Sequence, residues 1–431
     1  MAQPRAVTAA VIGAGHRGRF AYGGQALAHP ERLRIVAIAE PDAERRDAMA
    51  REHGLGSGAL FGDWRELLAR PQLADAAVVA TSDTLHVAPA LGALARGYHV
   101  LLEKPIAPQP ADCERVVGAA EKAGRILQIG HVLRYTAFYR RVHEIVASGR
   151  LGRVWQIALA EHVGAWHMAH SFVRGRFRNR EISAPILLAK SCHDLDLLLW
   201  LAQSHPARVA SFGGLSGYTE ARAPRGAPER CTQGCPVQAS CAHDAVRFYL
   251  GPDEGVAASW PWNDVSPDPS REARRRALET GPYGRCVYRC DNDALDHQLV
   301  AVEFEDGLTA SFSVHGHAAH ESRVLRITGE QGELRGVLER GELELLRPGS
   351  LESEREWIAG SPLGHFGGDV GLVAHFVDAV RRNASQEVRA SGREALEGHL
   401  LGFAAERARE QGRVIELAGY RREISAAAAN A

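Results

Sequence analysis

The sequence lacks any apolar run of about 18 residues, the length that a membrane-spanning helix requires. It also lacks an excess of either charge, since 51 Lys and Arg residues are balanced by 52 Asp and Glu residues. A chain without a broad basic field is not expected to bind nucleic acid or an anionic membrane surface. The apolar stretch near the N-terminus is too short and too rich in glycine for a signal peptide, so we expect a cytoplasmic protein.

Cysteine is scarce, with seven residues in 431, and the number is odd. In a reducing compartment, free thiols and metal ligands are more common than disulfides. Five of the seven lie in one segment, at Cys231, Cys235, Cys241, Cys286 and Cys290. Because four thiolates bind zinc tetrahedrally, Cys231, Cys235 and Cys241, with Cys290 or Cys286, are candidate ligands of a structural zinc ion. Unliganded thiols and an iron–sulfur cluster are the alternatives.

The first 130 residues alternate short apolar runs with amphipathic stretches. AVTAAVIGAG and LRIVAIAE are typical of strands, whereas RGRFAYGGQALAHP and DAERRDAMAREHG are typical of helices. Further apolar runs follow at DAAVVAT, HVLLEKP and RILQIGH. This alternation predicts an α/β domain over residues 1–130, with a parallel sheet covered by helices on both faces.

Beyond residue 130, strand-like segments joined by glycine-containing turns become frequent, as in HQLVAVEFEDGLTASFSVHGH. They predict a second α/β domain over residues 131–420, built on a large, mostly antiparallel open sheet. The stretch 216–295 is rich in Pro, Arg and Gly and carries the cysteines, so we expect it to be an insertion between two strands. We expect residues 421–431 to form a flexible tail.

The glycine-rich stretch VIGAGHRGRF lies where the first predicted strand meets the first helix. Gly13 permits the tight turn, Gly15 lets the backbone approach a pyrophosphate, and Gly18 lets helix and strand pack closely. Glu40 ends the second strand, 22 residues beyond Gly18, where a carboxylate accepts hydrogen bonds from a ribose diol and repels a 2′-phosphate. The pattern indicates a Rossmann site that favours NAD over NADP, although Arg17 is placed to contact a phosphate. A purely structural bend is the alternative.

Five further motifs, in this order along the chain, resemble the Gfo/Idh/MocA oxidoreductase family. They are VVATSDTLHVAPA, EKP, IGHVLRYTAFYRR, HDLD and GHFGGDVGLVAHFVDAV. The resemblance covers most of residues 6–418. It implies a Rossmann domain followed by an open-sheet α/β domain, with NAD in the cleft and a carbohydrate-like substrate against the sheet. It also implies hydride transfer to or from a hydroxyl-bearing carbon of a sugar, polyol or glycoside, and a homodimer or homotetramer.

The resemblance assigns catalysis to Lys104, the lysine of EKP, and to His193, which begins HDLD. An ammonium group holds a hydroxyl or polarises a carbonyl, and an imidazole exchanges a proton near neutral pH. Glu103 is placed to orient Lys104. Many family members carry Asp four residues before the histidine, where this chain has Ala189, followed by Lys190. Either Lys190 takes over a proton-transfer or charge-stabilising role, or Lys104 and His193 suffice.

The remaining site predictions follow the family's cofactor and substrate positions. The residues predicted to bind the cofactor are Gly13, Gly15, His16, Arg17, Gly18, Glu40, Thr81, Ser82, His86, Glu103 and Lys104. The residues predicted to contact the substrate are Arg134, Tyr135, His162, Trp166, His167 and His193. Asp194 and Asp196 are expected to cap the helix that HDLD begins.

Three functions stay open on this sequence. The first is an NAD-dependent oxidoreductase that acts on CH–OH groups. The second is redox-assisted glycoside cleavage, in which transient oxidation acidifies a neighbouring C–H, elimination follows, and NADH returns the hydride. The third is a non-catalytic NAD-binding sensor, which the replacement of the family Asp by Ala189 keeps open.

Overall fold

The computed structural model of the chain describes residues 5–350, 352–361, 364–384 and 388–430. The strands are β1 (Val7–Ile12), β2 (Leu33–Ala39), β3 (Leu60–Phe61), β4 (Ala76–Val79), β5 (His99–Leu102), β6 (Leu127–Ile129), β7 (Val154–Gly164), β8 (Pro206–Gly214), β9 (His297–Phe304), β10 (Thr309–Ala318), β11 (Ser322–Gly329), β12 (Glu333–Val337), β13 (Glu342–Leu346), β14 (Ser353–Trp357) and β15 (Ile415–Glu416).

The α-helices fall mainly in the first 150 residues, between β7 and β9, and after β14. They are α1 (Gly24–Ala28), α2 (Ala43–His53), α3 (Trp64–Ala69), α4 (Val87–Ala95), α5 (Pro110–Ala123), α6 (Ala137–Ala147), α7 (Ala165–His167), α8 (Ile186–Ala189), α9 (Cys192–Ala202), α10 (Ala245–Leu250), α11 (Glu254–Ala257), α12 (Arg271–Thr280), α13 (Gly368–Arg382), α14 (Gly392–Gln411) and α15 (Leu417–Ala429). Within the described ranges, no helix combines the length and apolar character needed to span a bilayer.

The first sheet has six strands in the order β3-β2-β1-β4-β5-β6, and each neighbouring pair is parallel. Its central strands are almost wholly buried because helices cover both faces. The strand order reverses between β1 and β4, and ligands of such folds bind at the carboxyl edge of that point. The glycine turn follows β1 and Thr81 follows β4, so both lie at this edge, and the predicted Rossmann fold is confirmed.

The second sheet has nine strands in the order β14-β13-β12-β11-β7-β10-β9-β8-β15. Only its β7–β10 pair is parallel among the described strands, and the other pairs are antiparallel. One face is buried, as the alternating pattern of β9 and β10 shows, and the other is open. The predicted large and mostly antiparallel open sheet is confirmed.

The stretch between β8 and β9 contains the cysteine-rich segment. It forms short helices α10, α11 and α12 around a small core of its own that includes Tyr249, Leu250 and Leu278. It is therefore a folded unit with its own apolar centre, and not an irregular loop.

The chain end differs from the flexible tail expected over 421–431. Helix α15 extends to Ala429 and buries Leu417, Tyr420 and Ile424. These apolar residues recur at helical spacing, and the alanines after them favour the helix. Packing of one apolar stripe explains why the segment is ordered.

Helix α13 lies late in the chain but packs on the first domain. Leu372, Val373, Phe376 and Val377 share a buried cluster with side chains of β1, β2 and β4. The side chain of Arg17, in the glycine turn, donates to Glu103 at 2.5 Å and to Asp369 of α13 at 2.7 Å. The turn, the end of β5 and α13 are thus joined by one partly buried ion-pair network.

Replacement of Gly18 by Ala is expected to lower the free energy of unfolding by about 3 kcal/mol, in the range of overpacked cores. An added Cβ would lie 1.9 Å from the backbone oxygen of Gly13, which has no flexible group to move aside. Urea denaturation followed by circular dichroism measures the change. Gly24→Ala is the matched control, because nothing lies within 4 Å of its Cβ position. Equal stability of the two variants would contradict the prediction.

Replacement of Asp369 by Asn is expected to destabilise the protein by about 3 kcal/mol at pH 7, because it leaves the Arg17 guanidinium without one partner. Although burial opposes it, hydrogen bonding to His365 and the charge of Arg17 hold the pKa of Asp369 below its usual value. A carboxyl group whose pKa is lower in the folded than in the unfolded state stabilises the fold at pH values above its unfolded-state pKa. This stabilisation is lost as the pH falls through the folded-state pKa. The difference in the free energy of unfolding between wild type and variant should therefore persist from pH 7 to about 4 and shrink below pH 4. A pH-independent difference in urea denaturation would contradict this.

Candidate active site

A cavity of about 1660 Å³ opens at the carboxyl edge of the first sheet and extends to the buried face of the second. Most of the predicted site residues lie in its wall. They are Gly13, Gly15, His16, Arg17, Glu40, Thr81, Ser82, Glu103, Lys104, His162, His167, Lys190 and His193. Residues far apart in sequence therefore meet around one space large enough for a dinucleotide and a small substrate.

The glycine turn leaves room for a ligand at one position only. Gly13 has φ +96°, and an added Cβ would lie 2.7 Å from the backbone oxygen of Ala80. Gly15 lines the cavity, and nothing lies within 4 Å of its Cβ position. Gly13 and Gly18 are thus required by packing, whereas the open space at Gly15 fits the approach of a pyrophosphate.

Glu40 lies at the end of β2 and is buried. Its carboxylate accepts hydrogen bonds from the backbone N–H of Ala14 at 2.7 Å and of Asp42 at 3.0 Å. Each carboxylate oxygen has a further lone pair, so the group can also accept from a ribose diol in the cavity. The residues present therefore fit a dinucleotide, with the backbone holding the acid in place.

Arg17 and Glu103 are bonded differently from what the sequence indicates. Arg17 reaches the cavity wall, but its guanidinium is bound to Glu103 and Asp369, which leaves it poorly placed as a phosphate ligand. The Glu103 carboxylate also accepts from Tyr22 Oη at 2.5 Å and from the backbone N–H of Lys104 at 3.1 Å. Glu103 therefore fixes the backbone at Lys104, and the ammonium group itself is held elsewhere.

Lys104 and His193 approach the cavity from different domains. Lys104 Nζ donates to the backbone oxygen of Ala189 at 2.5 Å. His193 lies in the first turn of α9 and is 7% exposed, and its Nδ1 is buried without a hydrogen-bond partner among the described residues. Burial, and then the charge of Lys104, hold the pKa of His193 well below its usual value. The imidazole is therefore neutral at physiological pH.

Lys190 belongs to a charge cluster that also contains Glu161, Arg323 and Asp194. Its Nζ lies 3.4 Å from Glu161 Oε1. Arg323 of β11 donates to Glu161 and, at 2.9 Å, to Asp194. Burial and the neighbouring Glu161 raise the pKa of Asp194 to about 7, against the effect of Arg323. Asp194 is thus one of two carboxyl groups facing one guanidinium, and the expectation that it caps α9 is wrong.

Arg134 and Asp196 form a second buried ion pair. Two nitrogens of Arg134 donate to the Asp196 carboxylate at 2.6 and 2.8 Å, and a third donates to Glu394 at 2.6 Å. Arg134 is only 3% exposed. Because each residue satisfies the other, the expectation that Asp196 caps a helix is wrong, and the substrate contact of Arg134 stays a prediction.

Three more predicted site residues lie outside the cavity wall among the described residues. Tyr135 Oη donates to the backbone oxygen of Arg389 at 2.6 Å. Trp166 packs against Trp260 and Phe248. The nitrogens of His86 lie 2.7 Å from the backbone oxygen of Pro105 and 3.1 Å from that of Thr81, so this ring joins two loops. Backbone and aromatic partners occupy these side chains, and their substrate and cofactor contacts stay predictions.

The structure also adds residues that the motifs did not indicate. Arg323 and Glu321 reach the cavity from the start of β11, and Trp260, Asp264 and Tyr283 reach it from the insertion. The unusual length of the insertion was the sequence signal for Trp260, Asp264 and Tyr283, since long segments within a domain are often functional. Strand pairing of β11 with β7, which places Arg323 beside Glu161, is not visible in local sequence.

The cysteines are not gathered as a metal site. In the described part of the chain, no three His, Cys, Asp or Glu side chains are placed to hold a metal ion. Cys231 packs in the small core of the insertion, whereas Cys290 packs against the main core with its Sγ 3.3 Å from the backbone oxygen of Cys286. Burial raises the pKa values of Cys241, Cys286 and Cys290. The predicted zinc site over Cys231, Cys235, Cys241 and Cys290 is therefore not supported.

Known proteins match the chain along most of its length. Residues 7–131 match an oxidoreductase family with an NAD-binding Rossmann fold, and residues 139–335 match the GFO/IDH/MocA C-terminal domain. The 1,5-anhydro-D-fructose reductase of Ensifer adhaerens is 31% identical over 189 residues, or 42% of this chain and 53% of that protein. The inositol 2-dehydrogenase of Streptomyces avermitilis is 31% identical over 208 residues, or 44% of this chain and 52% of that protein. The chain thus spans about half the length of these curated relatives.

Among solved structures, levoglucosan dehydrogenase in complex with NADH and levoglucosan has the same fold. It aligns with a TM-score of 0.71 at 16% identity and covers 96% of this chain and all of that one. Both domains, the order of the motifs and the glycine turn agree with the family matches. The chain belongs to the GFO/IDH/MocA family of NAD-binding oxidoreductases.

Proposed function

We propose that the protein oxidises or reduces a hydroxyl-bearing carbon of a sugar, polyol or glycoside, with NAD as the hydride carrier. The observation that supports this most is the position of Lys104 and His193 in the wall of the cavity that begins at the open space over Gly15. An ammonium and a neutral imidazole from two domains thus face the space where the reacting carbon would lie. The named activities of the reductase and dehydrogenase relatives agree with this class of reaction.

The cofactor supplies the hydride acceptor or donor when it is bound. The residues that would hold it are the turn at Gly13 and Gly15, Glu40 at the ribose, and Thr81 and Ser82 after β4. We infer NAD in preference to NADP, because the buried carboxylate of Glu40 would repel a 2′-phosphate.

The roles of the reacting groups follow from their charges. Lys104, fixed through Ala189, holds the substrate oxygen and stabilises negative charge that develops on it. His193 is neutral, so it accepts or donates a hydrogen bond at the same oxygen without adding charge. Lys190, paired with Glu161, provides a second cation at the wall of the cavity.

A homo-oligomer formed through the open face of the second sheet stays a prediction. Phe212 and Leu299 lie opposite each other on β8 and β9 and are 72% and 46% exposed. Through the pairings of β10 and β7, Val324 of β11 lies on the same face. Exposed apolar side chains that share one face of a sheet are often part of an interface.

Replacement of Lys104 by Met is expected to lower kcat by about 1000-fold, in the range of a lost catalytic acid–base or charge-stabilising group. Binding of NAD should change by less than about tenfold, since the glycine turn and Glu40 are untouched. NADH absorbance measured with inositols, anhydro sugars and levoglucosan tests turnover. Lys122→Met, an exposed residue of α5, is the control.

The outcome of that experiment also separates the three functions. Tight NAD binding without turnover of any sugar, unchanged by Lys104→Met, would indicate the sensor. Consumption of a glycoside without net NADH, lost in Lys104→Met, would indicate oxidation followed by elimination. Net NADH that disappears with Lys104→Met supports the proposal.

Replacement of Glu40 by Ser is expected to weaken NAD binding at least tenfold and to improve NADP binding, because one carboxylate both accepts from the ribose and repels a 2′-phosphate. Fluorescence titration with each reduced cofactor gives the two dissociation constants. Glu44→Ser, on the exposed first turn of α2, is the control. An unchanged ratio of the two constants would contradict the assignment of Glu40.

A further inference from the structure

The proposed reaction needs a proton acceptor. His193 serves poorly in this role, and position 189, where the family resemblance leads us to expect an acid, is Ala. Protonation of His193 would place a buried cation next to Lys104, and its Nδ1 has no carboxylate to balance that charge in the described residues. The family position that often supplies one is Ala189, whose backbone oxygen is bound to Lys104. Asp194 and Glu161 are both engaged by Arg323. The site therefore requires another proton acceptor.

A carboxylate–imidazole pair lies elsewhere in the same cavity wall. His167 of α7 places Nδ1 2.5 Å from Glu321 Oε1, which precedes β11. Both residues line the cavity, and the side chain of His167 is 14% exposed. Among the described residues Nε2 of His167 has no hydrogen-bond partner, so this nitrogen is available to a ligand. A carboxylate that accepts from Nδ1–H fixes the tautomer with a basic Nε2.

The surroundings of His167 hold its ring in one place. Trp260 packs edge-on at 5.0 Å between ring centroids, and Trp166 stacks at 5.3 Å. Phe172 lies at 6.0 Å and in turn contacts Phe177, whose ring is 6.0 Å from Lys104 Nζ. The pair is thus held by aromatic rings, partly desolvated, and in the wall of the same cavity as Lys104.

We propose that His167 is the proton-transfer residue of this site and that Glu321 is its positioning residue. This rests on the proposed function, which supplies NAD⁺ as oxidant. The hydroxyl O–H bond breaks and its proton goes to Nε2 of His167. The O–H electron pair forms the C=O bond, while the C–H hydride passes to NAD⁺. Glu321 balances the positive charge of the imidazolium, and reduction reverses each transfer.

The charged groups that face His167 come from three elements. The pKa of His167 is lowered to about 4, because burial and then the charge of Lys190 outweigh the opposing effects of Glu321 and Glu161. The imidazole is therefore neutral, and ready to accept a proton, at physiological pH. Removal of Glu321 should lower this pKa, and removal of the Lys190 charge should raise it.

Steady-state kinetics test the chemical role. His167→Gln is expected to lower kcat by about 100-fold or more with KM changed less than about threefold. Glu321→Gln should lower kcat less, and Glu321→Asp should restore part of the activity. The control is His315→Gln, a histidine of β10 that contacts His162 and lies outside the cavity wall. A kcat for His167→Gln within threefold of wild type would overturn the proposal.

Histidine-labelled nitrogen NMR tests the pair without turnover, with the signal assigned by its loss in His167→Gln. Wild type at pH 7 should show a protonated Nδ1 and an unprotonated Nε2. Glu321→Gln should lower the His167 pKa and Lys190→Met should raise it. A protonated Nε2 at pH 7, or a titration unaffected by Glu321→Gln, would overturn the proposal. If wild type oxidises no sugar, the proposed function fails, and the NMR result still decides the pairing of His167.

Discussion

The guanidinium of Arg17 is the contact on which the shape of the site depends. It lies in the glycine turn, between the carboxylate of Glu103 at the end of β5 and that of Asp369 in α13. Because two buried acids need a cation, the turn, the Lys104 segment and a helix from late in the chain are held at fixed distances. Arg17, a predicted cofactor contact, thus links the glycine turn to the end of β5 and to α13.

Other buried charges around the cavity are also held in ion pairs. Arg134 satisfies Asp196, and Arg323 satisfies Glu161 and Asp194. The Arg134–Asp196 and Arg323–Asp194 pairs join helix α9, which carries His193, to other elements. Among the described residues of the cavity wall, Lys104 is engaged with a backbone oxygen, and His193 Nδ1 and His167 Nε2 have no hydrogen-bond partner. We regard these as the groups available for chemistry.

The insertion changes what the cleft presents to a substrate. Trp260, Asp264 and Tyr283 enter its wall, and His170 links them to the second domain through Tyr249 and Asp264. The insertion therefore supplies one side of the cavity, and the aromatic packing that holds His167 depends on it. Specificity for a particular sugar is expected to lie here, because these residues do not belong to the Rossmann turn.

The sequence by itself determined the fold class and the position of the glycine turn, because periodicity and glycine spacing are local properties. The catalytic roles of Lys104 and His193 are what the family resemblance implies, and they stay predictions. The sequence also showed that Ala189 leaves the histidine without the usual acid. Only the tertiary structure decided the partners of the charged residues. From sequence alone, ligand binding or helix capping fits each of Arg134, Arg17 and Asp194. In the structure each forms a buried ion pair with residues of other elements, up to 352 positions away. Pairing of His167 with Glu321 is likewise a result of the β7–β11 register, since long-range strand pairing, and not local pattern, brings those side chains together.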